Sequence, residues 1–461
     1  MAAPVEAGLD PLADWIAGLR LDALPAEVLH AGKRSLLDTV GVAIAGAERP
    51  VVGKAAASLE SLGEGPCSVL PLGAAPRPGP TAALINGAAA HALDFDDTVF
   101  EGILHGSAAV WPAAQAACEL LGAPGDRLLL AFIAGLEAAY ALGALIGNEA
   151  YRDGWWASSL LGLFGATAGA AKALDLGPQE TGHALHLAAA QSFGLRGIFG
   201  SEAKPYVLGR AAQAGLELAL AARAGLGASA ASFEGAAGFL QVINRGRPTR
   251  PVFARLGAPF RLVEPGVAFK LYPVCSAAQA GVEATLGLME EHGLEAGQVE
   301  RAELRATPLV CLQLVHDRPQ SILEGQFSMP FAVGCALAYG ALGSAQLDDR
   351  LLCDPALRHA MAKVTLSADE ALLARVEDPV SAPEAAEVTL HLRDGRSFSR
   401  LNPMASGMPA KPLTDAALDA KFLSNTTPCM GEASAQALLE RLRAIESADS
   451  AAPWAVGVRP R

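Results

Sequence analysis

No run of basic residues long enough to track a phosphate backbone occurs in this chain. Its formal net charge is −13, so a nucleic-acid partner is not expected. The seven cysteines are scattered and odd in number, and no CxxC pair occurs. Neither a disulfide framework nor a zinc knuckle follows, and a reducing, cytoplasmic setting fits best. The N-terminal MAAPVEAGLDPLADWIAG has no basic segment followed by an apolar one, so it does not read as a signal peptide. The longest apolar stretch, LLLAFIAGLEAAYALGALIG at 128–147, is interrupted by Glu137. A carboxylate at bilayer depth is expensive, so this stretch reads as a buried helix and no membrane partner is expected. Dinucleotide fingerprint, phosphate loop, HExxH and nucleophile elbow are all missing. Aromatic residues make up only 5% of the chain and charged ones 18%.

What is present is alanine, glycine and helical periodicity, with 51% hydrophobic residues over 461 positions and a mean hydropathy of +0.29. That is enough for two domains and a large core. Leu29, Leu36, Leu37, Val40 and Ile44 form one apolar stripe, interrupted by Asp38. Similar patterns predict helices near 52–61, 81–93, 107–121, 125–146, 159–175 and 178–190. Their small side chains let backbones approach closely. Composition changes after about residue 266. A strand is expected within 299–315, a helix at 327–342, a strand at 363–369, and a hairpin at 385–400 turning at Asp394-Gly395. The tail at 413–448 returns to helix and needs a surface to bury against. The pattern predicts a many-helix domain followed by an α+β domain of about 130 residues.

The hardest residues to explain as packing lie in NGAAAHALDFDDTVFEGILHGSAAVWP, 86–112. Asp94, Asp96 and Asp97 crowd together between apolar helical runs, with Thr98 next and His105 beyond. Carboxylates are seldom buried without partners. The stretch is therefore either an exposed acidic loop after a helix or the wall of a polar cavity. A magnesium site would need a second acidic cluster to complete its oxygens, and none stands out, so no metal is expected. Lys204 precedes Pro205 at the start of a predicted helix, where an isolated cation is disfavoured by the helix dipole. A carboxylate or anion beside it would explain the placement. Arg210 on the same helix and Lys270 are further candidates for holding an anion. His105 suits a general base, whereas His91, inside the apolar run, reads as structural. Cys275 has no nearby base and reads as a small buried hydrophobe.

Several segments together resemble the MmgE/PrpD family: SLLDTVGVAIAGA (35–47), NGAAAHALDFDDT (86–98), HGSAAVWPAA (105–114), KPYVLGRAAQAG (204–215), FEGAAGF (233–239), FKLYPVCS (269–276), FSMPFAV (327–333) and LDAKF (418–422). They run in this order over nearly the whole chain. The resemblance implies a mainly α fold, a large all-helical domain (1–266 plus 401–461) with a smaller inserted α+β lid domain (267–400), and a cofactor-independent lyase or isomerase, usually a homodimer, with its site between the two domains. Carried over by position, it assigns Asp94, His105, Lys204 and Lys270 to catalysis. Thr98, Trp156, Arg210, Tyr272 and Gln279 are taken as substrate contacts. The chain departs from the family pattern where Trp156, Val207 and Gln279 replace histidines. Tryptophan cannot move protons, valine cannot bind a carboxylate, and glutamine cannot act as a base. The pocket should be less cationic than usual, and a tricarboxylate would fit it awkwardly.

The expected activity is dehydration of a hydroxy-carboxylic acid by proton abstraction next to a carboxylate. Epimerisation or decarboxylation of a dicarboxylate is the alternative. The triple histidine replacement also leaves open a protein that binds an organic acid without turning it over.

Overall fold

The computed structural model describes residues 8–376 and 383–451. Among these, the helices of eight or more residues are α1 (Asp10–Gly18), α2 (Ala26–Gly46), α3 (Pro50–Ser58), α4 (Gly79–His91), α5 (Ser107–Leu121), α6 (Gly125–Ile146), α7 (Ala157–Ala173), α8 (Pro178–Ala190), α9 (Ala203–Arg223), α10 (Ser276–His292), α11 (Met329–Tyr339), α12 (Asp415–Met430) and α13 (Glu432–Arg443). The predicted helical runs are all present, with boundaries shifted by a few residues. Pro50, Pro80, Pro178 and Pro330 sit in first turns, where the missing N–H costs nothing.

The strands are β1 (Val299–Ala306), β2 (Val364–Ala368), β3 (Ala386–Leu392) and β4 (Ser397–Asn402). They form one sheet in the order β2-β1-β3-β4. β1 pairs parallel with β2, Ala302 opposite Val364, and antiparallel with β3, Leu304 opposite Val388. The β3–β4 hairpin closes through Gly395 in a left-handed conformation. The parallel β1–β2 connection carries α11, as a crossover between parallel strands requires.

Buried apolar residues separate into two clusters. One draws on α1 to α9 and also on Leu418, Phe422, Leu438 and Leu442 of the two tail helices. The other comprises the faces of α10, α11 and the sheet, joined by Val42, Leu93 and Phe95. α12 packs along α2, so the chain's two ends meet in the helical core.

Small residues allow these helices to touch. A Cβ at Gly209 of α9 would lie 2.3 Å from the Leu84 carbonyl oxygen of α4. Glycine is needed there to bring Lys204 over the end of α4. Helix α6 is long and apolar enough to cross a membrane, but 94% of its apolar window is buried inside the protein. Its one carboxylate, Glu137, accepts from the backbone N–H groups of Arg261 (3.0 Å) and Leu262 (2.8 Å). The charge in that run therefore anchors the segment leading to the second apolar cluster.

Candidate active site

The acidic stretch is buried: Asp94, Asp96, Asp97 and Thr98 are each at most 2% exposed. The cavity-wall reading holds and the exposed-loop reading does not. Helix α4 ends at His91, and Asp94 adopts a left-handed backbone with φ 47°, a conformation that Asp tolerates better than most residues. The turn reverses the chain and aims the Asp94 side chain inward. Thr98 then exchanges two backbone hydrogen bonds with Ala268 (3.0 and 2.9 Å), which fixes the acidic loop against the segment carrying Lys270. Val99 and Leu104 pair in the same way, and this tight excursion delivers His105 beside the aspartates.

Lys204 Nζ donates to Asp94 Oδ1 at 2.8 Å and to His91 Nε2 at 2.6 Å. Lys270 Nζ donates to the Asp94 carbonyl oxygen at 2.6 Å and stands 3.3 Å from Asp94 Oδ1. Burial would raise the Asp94 carboxyl, but Lys204 and Lys270 outweigh it and hold it well below the usual carboxylate range. The carboxylate expected beside Lys204 is thus Asp94. Asp96 faces His91 Nδ1 at 2.9 Å. Burial opposes its charge, yet His91 and His105 keep it ionised, below the ordinary value. Asp97 accepts from the Ser107 hydroxyl at 2.5 Å. It is pushed up to about 8 by burial and by neighbouring Asp38 and Asp96.

These contacts fix both imidazole tautomers. His91 Nδ1–H donates to Asp96, leaving Nε2 as the acceptor for Lys204. His105 Nδ1 lies 2.8 Å from the Asp97 carbonyl oxygen, which can only accept, so His105 carries its proton on Nδ1. Its Nε2 is a free lone pair 3.8 Å from Asp94 Oδ1. Burial, followed by Lys270, His91 and Lys204, lowers His105 to about 3 against the pull of Asp96. It rests as the neutral base.

Asp94, Thr98, His105, Trp156 and Lys204 line one cavity of about 10 Å³ together with Ile103, Tyr151, Phe199, Phe327, Cys275, Ser276 and Gln313. A space of that size holds about one water. Trp156 packs beside His91 with ring centroids 5.5 Å apart. With Phe199 and Phe327 it cages the Lys204 ammonium at 5.3, 5.3 and 4.9 Å. Where the resemblance implies histidine, this chain has a cation–π wall. Cys275 behaves as expected: burial pushes its thiol up to about 12.

Three of the residues taken as substrate contacts are not brought to the cavity. Arg210 turns away and pairs with Gln213. Its six-residue spacing from Lys204 rotates it about 240° around the helix, off the shared face. Gln279 spends its amide on the backbone of Leu271, Tyr272 and Val274, bracing the Lys270 segment. Tyr272 presents its backbone to Gln279, and its hydroxyl senses Glu283 rather than the aspartates. His91, read from sequence as structural, sits at the centre of the cluster. Its spacings of three to Asp94 and five to Asp96 at a helix end were the available signal.

His91, Asp94, Asp96 and His105 place ligand-type atoms within 4.8 Å of one another. Two ammonium groups stand among them, with Lys204 on the His91 and Asp94 atoms a cation would need. With both lysines charged, this donor set does not fit a divalent ion.

Two family models match the chain, the MmgE/PrpD N-terminal domain over residues 10–251 and the MmgE/PrpD C-terminal domain over residues 272–446. The chain belongs to the MmgE/PrpD family. Curated relatives carry the name cis-aconitate decarboxylase. The protein from Aspergillus terreus is 29% identical over 350 residues, 70% of each chain. That of Mus musculus is 26% identical over 465 residues, covering 95% of this chain and 90% of its own. That of Homo sapiens is 27% identical over 456 residues, covering 95% and 91%.

Proposed function

We propose that the protein is a lyase acting on a small unsaturated di- or tricarboxylic acid, with loss of carbon dioxide as its reaction. The observation that carries the reading is the His105 Nε2 lone pair, held free by the Asp97 carbonyl, beside two ammonium groups on one carboxylate. The names of the relatives favour decarboxylation over the dehydration expected from sequence. The substrate would lie between a helical body (1–266 plus 401–461) and a lid (267–400).

One substrate carboxylate takes the cavity face of Lys204, with Lys270 behind it on Asp94, where ammonium groups stabilise charge as it develops. The departing carboxylate faces the aromatic wall. When the carbon–carbon bond breaks, its electron pair stays with the substrate and spreads over the adjacent double bond, which accepts a proton at its far carbon. A nearby anion raises a histidine, so the arriving substrate loads His105 Nε2 with the proton it then gives to that carbon. Lyase chemistry therefore needs none of the three replaced histidines as a base. Turnover by proton NMR in deuterium oxide, over a panel of unsaturated, hydroxy- and amino-dicarboxylates, tests this. Loss of carbon dioxide with one deuteron gained at carbon supports it. Water loss points to a dehydratase, and α-exchange without net product to an epimerase. No change in any compound leaves the binding-only alternative.

A further inference from the structure

A decarboxylation consumes one proton per turnover, and the His105 wall holds none to spare at rest. Ser276 and Gln313, both lining the same cavity, donate to one buried carboxyl. Ser276 Oγ and Gln313 Nε2 each lie 2.9 Å from Glu384 Oε1. Glu384 Oε2 is buried and, among the described residues, has no hydrogen-bond partner. Glu384 is 5% exposed, yet it and Ser276 also line a second cavity of about 10 Å³, walled by Phe100, Pro403, Met404 and Met408. Ser276 borders both spaces, with Glu384 behind it. Gln313 cannot swing freely, because its Oε1 accepts from the Cys275 thiol.

We propose that Glu384 and Ser276 form the proton-supply route of the site, storing a proton at Glu384 and passing it through the Ser276 hydroxyl into the substrate cavity. The inference rests on the lyase reading above. In the transfer, the Ser276 hydroxyl turns from Glu384 Oε1 and releases its proton to the substrate side, as the Glu384 carboxyl rotates and gives its Oε2 proton to Oγ. His105 Nε2 takes the released proton, and the Glu384 carboxylate is reprotonated from the second cavity. The store is set for neutral pH. Burial raises Glu384 to about 7, against the pull of Ser276, Gln313 and Lys270 and with help from Asp94. Among the described residues, Tyr151 and Cys275 also sense it, and both are held neutral by burial.

Glu384→Gln keeps an oxygen for Ser276 and Gln313 and removes only the transferable proton. With any carboxylate the wild type turns over, kcat should fall about 10²-fold, KM should stay within about threefold, and small protonated buffers such as imidazolium should restore part of the rate. Ser276→Ala should behave alike, whereas His105→Gln should lose turnover without buffer rescue. Unchanged kcat in Glu384→Gln, or an equal loss with no rescue, overturns the route. A second measurement needs no turnover: the infrared titration difference between wild type and Glu384→Gln should show one buried carboxyl band disappearing near neutrality, apart from the Asp97 and Glu137 bands that both proteins share. A wild type without that band also overturns the proposal, and leaves the lyase reading to its own test.

Discussion

Lys421 and Asp38 make the sharpest test of how the site is held from beneath. Both are at most 6% exposed, and Lys421 Nζ lies 2.7 Å from Asp38 Oδ1. The same ammonium donates to the Phe95 carbonyl at 2.9 Å and rests 4.0 Å from the Phe95 ring centroid. Burial pushes Asp38 up and Lys421 down, so each depends on the other for its charge. Removing one partner leaves a buried charge uncompensated, a loss of about 3–5 kcal/mol. Lys421→Met alone and Asp38→Leu alone should each cost that much. The double variant replaces the pair by apolar residues of similar volume and should recover to within about 1–2 kcal/mol of wild type. The assay is the midpoint of the first urea transition followed by circular dichroism, read where the slope is unchanged. A double variant as unstable as the two single losses added together would refute the reasoning. Because Phe95 lies between Asp94 and Asp96, Lys421→Met should also lower kcat, through the position of the acidic loop.

Further expectations rest on other buried groups. Burial raises Glu137 to about 7 against its two backbone donors. Its contribution to stability is fully present below about pH 4.5 and is lost as pH rises through 7, about 3 kcal/mol in total. Glu137→Gln should flatten that slope in urea midpoints measured from pH 5 to 8, and an unaltered slope would contradict the assignment. Lys204 lowers both imidazoles and Asp94. In Lys204→Met the C–H resonances of His91 and His105 should titrate at higher pH than in wild type. Unmoved resonances would place the ammonium elsewhere. Trp156→His removes one face of the Lys204 cage, and binding of a non-reacting dicarboxylate should change by about two- to fivefold, corresponding to about 0.5–1 kcal/mol of cation–π interaction. Identical isotherms would show that the cage does not shape the site.

Helix existence was legible because alanine, glycine and leucine recur with helical period from α2 through α8. The hairpin was legible through alternation around Asp394-Gly395. The acidic loop announced a cavity because three carboxylates beside apolar helices need partners. The partners were less legible. His91 looked structural inside an apolar run, and only the approach of α9 to α4 places Lys204 on its Nε2. Arg210 was credited for charge and for nearness in sequence, although helical rotation carries it off the face. Gln279 occupies a family histidine position, but α10 directs its amide to the backbone. Glu384 had no sequence signal at all. It stands alone before a strand, and only the tertiary fold sets it behind Ser276.

The central claim is that His105 Nε2 carries the proton of a lyase reaction. The direct measurement compares wild type and His105→Gln for turnover of cis-aconitate and related unsaturated acids, alongside calorimetric binding of a saturated tricarboxylate. The account predicts a kcat loss of about 10²–10⁴-fold with binding changed less than about threefold. Turnover that survives the substitution, or binding that disappears with it, would contradict the account.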